Sequence, residues 1–348
     1  MRYPDDLKTG DTIGITAPSA GIIKENKILR LENAKKNLKN LGYKCIETDN
    51  VRKDEFGRSS DAKKRAKEFM ELWNNKDVKA IISAEGGDFM CEMIDNLDFE
   101  EIKKLKSTWF QGYSDNTYLS FLLTTICDIA TIYGSNIKSY GMQKPGRDLL
   151  DSIKLMNGEE IEQKSFEKYE ENWLEKIIKG EVSDDEEDPY AGYSLVNKVE
   201  WKNLKGEENI TIKGRALGGC FDIITNIIGT KYDKISEFIE KYKDDGIVWF
   251  LEVFEMSTPQ LFCNLWKMKN AGYFKYCNGI VFGRSILLRE DYGIDMKKTL
   301  LDSLSSLDIP VIYDADIGHL DPTVNIINGS IIEIKSENGK GSVKNYFK

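Results

Sequence analysis

At 348 residues the chain is long enough for two domains, or for one large α/β unit, at roughly 150 residues per domain. Hydrophobic residues at 41% and charged residues at 31% describe an ordinary globular protein with material for a real core, which excludes a largely disordered chain. The 49 Lys and Arg against 58 Asp and Glu leave a net charge of -9, which argues against a nucleic-acid partner, because phosphate binding needs clustered cations.

The predicted elements alternate from the start. Thr12 to Ala17 is a short apolar run closed by Pro18 and predicts a strand. Ile28, Leu31, Ala34, Leu38 and Leu41 then follow helical spacing up to Gly42, a natural stop, and Tyr43 to Thr48 resumes as a strand. Asp61 caps a second helix carrying Ala62, Ala66, Phe69 and Trp73 on one face, and Val78 to Ala84 is the next strand. Such alternation implies an α/β fold with a parallel sheet. Tyr118 to Tyr133 is the most apolar stretch; it is broken by Ser120, Thr124, Thr125 and Asp128, is too short to span a bilayer, and reads as a buried helix.

From about residue 146 to 206 the chain turns charged and weakly periodic, with an acidic run from Ser183 to Pro189 that reads as a solvated loop. The domain plan is therefore 1–145 as an N-terminal α/β domain, 146–206 as a connection or lid, and 207–348 as a C-terminal domain. In the last part Gly214 to Gly229 holds a Gly-Gly pair and an apolar helix, followed by strands at Gly246 to Glu252, Gly279 to Gly283 and Pro310 to Asp314. The six cysteines are scattered with no C-x-x-C pair, and the N-terminus MRYPDDLKTGD carries no apolar leader, so a reduced, cytoplasmic setting without a membrane partner is expected.

His319 is the one histidine, and only histidine changes charge near neutral pH without a large environmental shift. Trp109 to Thr117, WFQGYSDNT, offers Ser114 at a strand-to-helix turn, where a nucleophile is exposed and a helix N-terminus favours developing negative charge. Asn116 departs from the hydrolase consensus G-x-S-x-G, and a simple helix cap at Ser114 or Asp115 is the competing reading. The AEGGD loop, Ala84 to Asp88, can bring backbone N–H groups close to a ligand or oxyanion. Glu252 ends the buried-looking strand GIVWFLE, where α/β proteins place functional groups. A serine on one side of an imidazole and a carboxylate on the other would complete an acyl-transfer triad.

Six segments occur together: Leu7 to Ser19, ISAEGGD at Ile82 to Asp88, GYSDNT at Gly112 to Thr117, GRALGGC at Gly214 to Cys220, FLEVFE at Phe250 to Glu255 and GHLDP at Gly318 to Pro322. In these the chain resembles the LD-carboxypeptidase family of serine peptidases, and within it the microcin C immunity branch. The resemblance implies an N-terminal parallel α/β domain and a C-terminal β-rich α/β domain with the active site between them. It implies a triad of Ser114, Glu252 and His319, an oxyanion hole of the Gly87 and Asp115 amides, no metal or organic cofactor, and a homodimer. Glu255 is the competing carboxylate, and Gly86 and Glu255 are expected to meet the substrate. One branch removes D-alanine from a murein tetrapeptide. The immunity branch hydrolyses the amide joining an aspartyl residue to a nucleotide phosphoramidate, which implies an aromatic residue stacking on the base; Trp201 in NKVEWKN is the expected one, with burial as its alternative. LEVFEMSTP departs from the LETSE wording of the immunity branch at Val253 and Phe254.

Overall fold

The computed structural model describes every residue except Asp184, Glu186, Glu187 and Lys348. The chain divides into two compact units, one of Met1–Ile161 with Lys176–Tyr193, the other of Glu162–Glu175 with Ser194–Lys348.

In the first unit, β1 (Thr12–Thr16), β2 (Lys44–Glu47), β3 (Val78–Ser83), β4 (Trp109–Gly112) and β5 (Thr131–Tyr133) pair in the order β5-β4-β3-β1-β2, all parallel. β1 and β4 are buried along their whole length, as strands covered on both faces must be. Gly14 lets the helix Ala62–Asn74 approach the sheet, since a Cβ there would lie 2.9 Å from Leu72. Asp61 caps that helix, accepting the Lys64 N–H at 2.9 Å, and Ala66, Phe69 and Trp73 are buried on its inner face as the spacing predicts. The helix Glu25–Asn40 buries Leu31, Ala34 and Leu38 and stops where Gly42 takes a φ of +95°. The expected helix from Tyr118 to Tyr133 is shorter: it spans Thr117–Thr125, and Thr131–Tyr133 is β5. Asp128 with φ +60° makes the turn between them, and apolar content alone does not separate a buried helix from a buried strand.

In the second unit, β6 (Glu162–Lys164), β7 (Lys202–Asn203), β8 (Asn209–Cys220), β9 (Ile247–Glu252), β10 (Cys277–Gly283), β11 (Val311–Ala315), β12 (Ile331–Glu337) and β13 (Lys340–Tyr346) form one sheet, ordered β6-β13-β12-β8-β9-β10-β11-β7. β8 through β11 run parallel, and the flanking pairings are antiparallel. β8 carries both habits. Its first half pairs antiparallel with β12 and alternates exposed and buried residues, while its second half pairs with β9 and is buried throughout. The β12–β13 hairpin, absent from the sequence expectation, turns at Asn338-Gly339, both with positive φ.

Residues 146–206 divide between the units. The helix Arg147–Met156 packs Leu149, Ile153, Leu155 and Met156 into the first, and β6 joins the sheet of the second. Three members of the acidic run lie outside the described residues, and Asp185 pairs with Lys24 at 2.8 Å. All six cysteines are free thiols, and no helix among the described residues is long and apolar enough to cross a membrane.

Candidate active site

The serine lies at the carboxyl end of β4, where the parallel sheet of the first unit hands the chain to a helix. Tyr113 is extended, Ser114 turns into the left-handed region at φ +63°, and Asp115 and Asn116 complete a single turn of 3₁₀ helix before Thr117–Thr125. A non-glycine residue in that region costs on the order of 1–3 kcal/mol and persists only where its surroundings fix it. Here Gly112 is part of the reason: a Cβ on it would lie 2.8 Å from that of Asn116. Asn116, at the position where the hydrolase consensus has glycine, donates its Nδ2 to the carbonyls of Glu85 at 2.9 Å and Tyr113 at 3.1 Å. The departure from consensus is thus a brace on the neighbouring Gly-Gly loop.

That loop passes directly beside the serine. A Cβ on Gly86 would lie 3.0 Å from Ser114 Oγ, and Gly87 has a φ of +148° that only glycine adopts without strain. Ser114 is half-buried while Asp115 is buried, so the hydroxyl is reachable on a rigid seat. Burial raises the Asp115 carboxyl above its ordinary range, opposed by hydrogen bonds from Ser19 and the Met90 N–H.

Within the second unit a histidine and a carboxylate meet. Glu252 is the last residue of β9 and is fully buried. His319 follows β11 in the turn 316–319, and its Nδ1 lies 3.0 Å from Glu252 Oε1 and 3.1 Å from Oε2. With Nδ1–H donated to the carboxylate, proton exchange with a nucleophile falls to Nε2. Gly318 makes the approach feasible: at φ +109°, a Cβ on it would lie 2.8 Å from Glu252 Oε2. The Phe254 ring packs on the imidazole with centroids 4.6 Å apart. Asp222, two residues past the GRALGGC motif in the first turn of the helix Phe221–Ile227, accepts the N–H groups of Phe254 at 2.9 Å and Glu255 at 3.0 Å and so holds the chain just after Glu252. Burial, with a smaller contribution from Glu252, pushes the Asp222 carboxyl up, and burial followed by the charge of Glu252 pushes the Cys220 thiol well up.

Glu255, the competing carboxylate, is exposed, and the histidine's partner is Glu252. Trp201 is a correction. It is 2% exposed, its ring lies against Gly341, where a Cβ would come within 2.2 Å, and its indole N–H donates to Asp316 at 3.1 Å. A ring so covered has no face to offer a nucleobase. Asp316 also accepts the Phe166 N–H at 3.0 Å and pairs with buried Arg284, which donates to the Leu320 carbonyl at 2.9 Å. Trp201 therefore belongs to a buried polar network that fixes the loop bearing His319. Neither Asp316 nor Arg284 was singled out from the sequence, although Asp316 stands in the same strand-end segment as His319.

The LD-carboxypeptidase N-terminal domain matches residues 13–134 and the LD-carboxypeptidase C-terminal domain matches residues 213–334. Microcin C7 self-immunity protein MccF of Escherichia coli is 25% identical over 359 residues, which cover 98% of this chain and 95% of that protein. The solved structure of MccF in complex with aspartyl sulfamoyl adenosine superposes with a TM-score of 0.78 at 22% identity over 99% of each chain. A muramoyltetrapeptide carboxypeptidase from Oxalobacter formigenes gives 0.72 at 20% identity, over 96% of this chain and 98% of that one.

Proposed function

Because this chain belongs to the LD-carboxypeptidase family, in which peptidases are the rule, we propose that Ser114, His319 and Glu252 act together as a serine amidase on an aminoacyl group joined to a nucleotide. The observation that carries the chemistry is the buried Glu252 held 3.0 Å from His319 Nδ1, an arrangement that fixes the tautomer and stabilises the imidazolium formed when Nε2 takes a proton. Ser114 Oγ attacks the amide carbonyl as His319 removes its proton. The oxyanion is stabilised by the N–H groups of Gly87 and Asp115, each such donor being worth about 10²–10³ in rate. His319 then protonates the leaving nitrogen, and water releases the acyl group from Ser114 by the same route in reverse.

The choice of an aminoacyl-nucleotide is supported by the likeness to MccF along nearly the whole chain. In place of Trp201 we assign the base-stacking role to Trp173, the tryptophan of the connecting segment that is 41% exposed, with its indole N–H donated to Glu170 at 3.1 Å. A base stacked on such a ring gains about 1–3 kcal/mol. The second reading is removal of D-alanine from murein tetrapeptide, supported by the likeness to the muramoyltetrapeptide carboxypeptidase.

Mass spectrometry of the purified protein against an amide-linked aspartyl-adenylate analogue and, separately, murein tetrapeptide decides between them. Release of aspartate is the expected result. Release of D-alanine alone would give the protein to cell-wall recycling. Tight binding of the analogue without turnover, unchanged in Ser114→Ala, would make it a sequestering protein instead.

A further inference from the structure

The serine chemistry uses only the backbone N–H of Asp115, yet its side chain is buried and engaged. Ser19 Oγ donates to Asp115 Oδ2, and the Met90 N–H donates to the same oxygen at 2.9 Å. Ser19 lies in the segment that leaves β1, and Met90 closes the loop that leaves β3 and contains Gly86 and Gly87. Other ties join the same two segments. The Ala20 N–H donates to the Gly86 carbonyl at 3.1 Å, and fully buried Arg65 donates to the carbonyls of Pro18 and Phe89, each at 3.1 Å. The Ser19 hydroxyl is wedged in this clasp: a Cβ on Gly87 would lie 2.4 Å from Ser19 Oγ and 3.1 Å from the Ala20 nitrogen.

A glycine pair is the most mobile backbone a loop can have, whereas an oxyanion hole works only when its donors are fixed before the charge develops. We propose that the Asp115 side chain is a positioning residue: by gripping Ser19 and the Met90 N–H it locks the Gly86-Gly87 loop so that the Gly87 N–H and its own N–H converge on one oxyanion. One residue would thus supply one donor through its backbone and aim the other through its carboxylate. Burial of that carboxylate is opposed in part by the two donors it receives on Oδ2.

This inference rests on Ser114 being the nucleophile, and a fluorophosphonate tests both without knowledge of the substrate. Ser114 Oγ displaces fluoride, forming an O–P bond as the P–F bond breaks, with the serine proton passing to His319 and the phosphonyl oxygen occupying the oxyanion hole. Intact-mass measurement of labelling against reagent concentration gives the limiting rate and the binding constant separately, with thermal unfolding as the control for folding. Asp115→Ala should lower the limiting rate about 10²-fold with little change in binding. Asp115→Asn, whose amide oxygen accepts both hydrogen bonds, should stay within about fivefold of the native protein, and Ser19→Ala should fall about tenfold. A folded Asp115→Ala labelled within threefold of the native rate, or an Asn variant as slow as Ala, would overturn the proposal. Should Asp115→Ala fail to fold, Ser19→Ala decides by the same threefold criterion. Native protein that is not labelled at Ser114, or equal labelling of Ser114→Ala, would remove the nucleophile assignment itself, a failure distinct from that of the clasp.

Discussion

His319 Nδ1 sits 3.0 Å from Glu252 Oε1 because Gly318, between the imidazole and the strand end, has no side chain to hold them apart. The Phe254 ring packs on the histidine, whose side chain is 9% exposed, and the carboxylate that orients it is fully buried. A buried hydrogen bond of this kind is strong only while its geometry is kept, and the packing around it is what keeps it.

Loss of any triad member should nearly abolish turnover. Ser114→Ala and His319→Ala are each expected to lower kcat by about 10⁴-fold or more, and Glu252→Gln by about 10²–10⁴-fold, since the three act as a unit. Steady-state kinetics on the amide-linked adenylate, with circular dichroism to check folding, provides the measurement; a His319→Ala variant with a tenth of native kcat would rule the mechanism out.

Gly318→Ala should be nearly as damaging as loss of Glu252. The added Cβ would fall 2.8 Å from Glu252 Oε2, and alanine is strained at φ +109°, so the imidazole and carboxylate must separate. The expected outcome is a drop in kcat of at least about 10²-fold with the chain still folded. Kinetics near the native level would mean that the pair tolerates a longer separation.

The two tryptophans should separate by assay. Trp201→Phe removes a buried donor to Asp316 and should cost about 1–3 kcal/mol of stability, lowering activity on adenylate and murein substrates alike. Trp173→Ala should raise KM for the adenylate by about 5–100-fold and leave stability nearly unchanged. The reverse pattern, with Trp201→Phe selective for the adenylate, would return the stacking role to Trp201.

Stability should fall with pH near Asp148. Burial pushes this carboxyl up to about 6, against an ordinary value of 3.8, while the Tyr193 hydroxyl donates to it at 2.6 Å. A folded-state value above the unfolded one means that the proton binds the native protein more tightly. Its contribution is complete below about pH 4 and is lost as pH rises through about 6. Asp148→Asn should therefore change stability little at pH 4 and raise it at pH 7 by up to about 3 kcal/mol. Chemical denaturation at the two pH values checks the sign, and equal shifts at both would show that ionisation is not the cause.

Sequence alone determined the α/β character, most of the strands, the strand-to-helix turn that presents Ser114, and the capping of the helix after Asp61, because each depends on the periodicity and turn chemistry of neighbouring residues. Asn338-Gly339, a turn signal in the sequence itself, marks the hairpin of the last two strands. Glu252 is preferred from the sequence as the end of a predicted strand, but only the tertiary structure brings it to His319 across 67 residues of chain and leaves Glu255, three residues on, at the surface. It likewise put Trp201 in the core, bonded to Asp316 across 115 residues, and bound the side chain of Asp115 to Ser19 across 96. Local patterns report which face of an element is apolar. Which buried polar groups then satisfy one another depends on strand order and register, and those are set by the burial of the whole sheet rather than by any one segment.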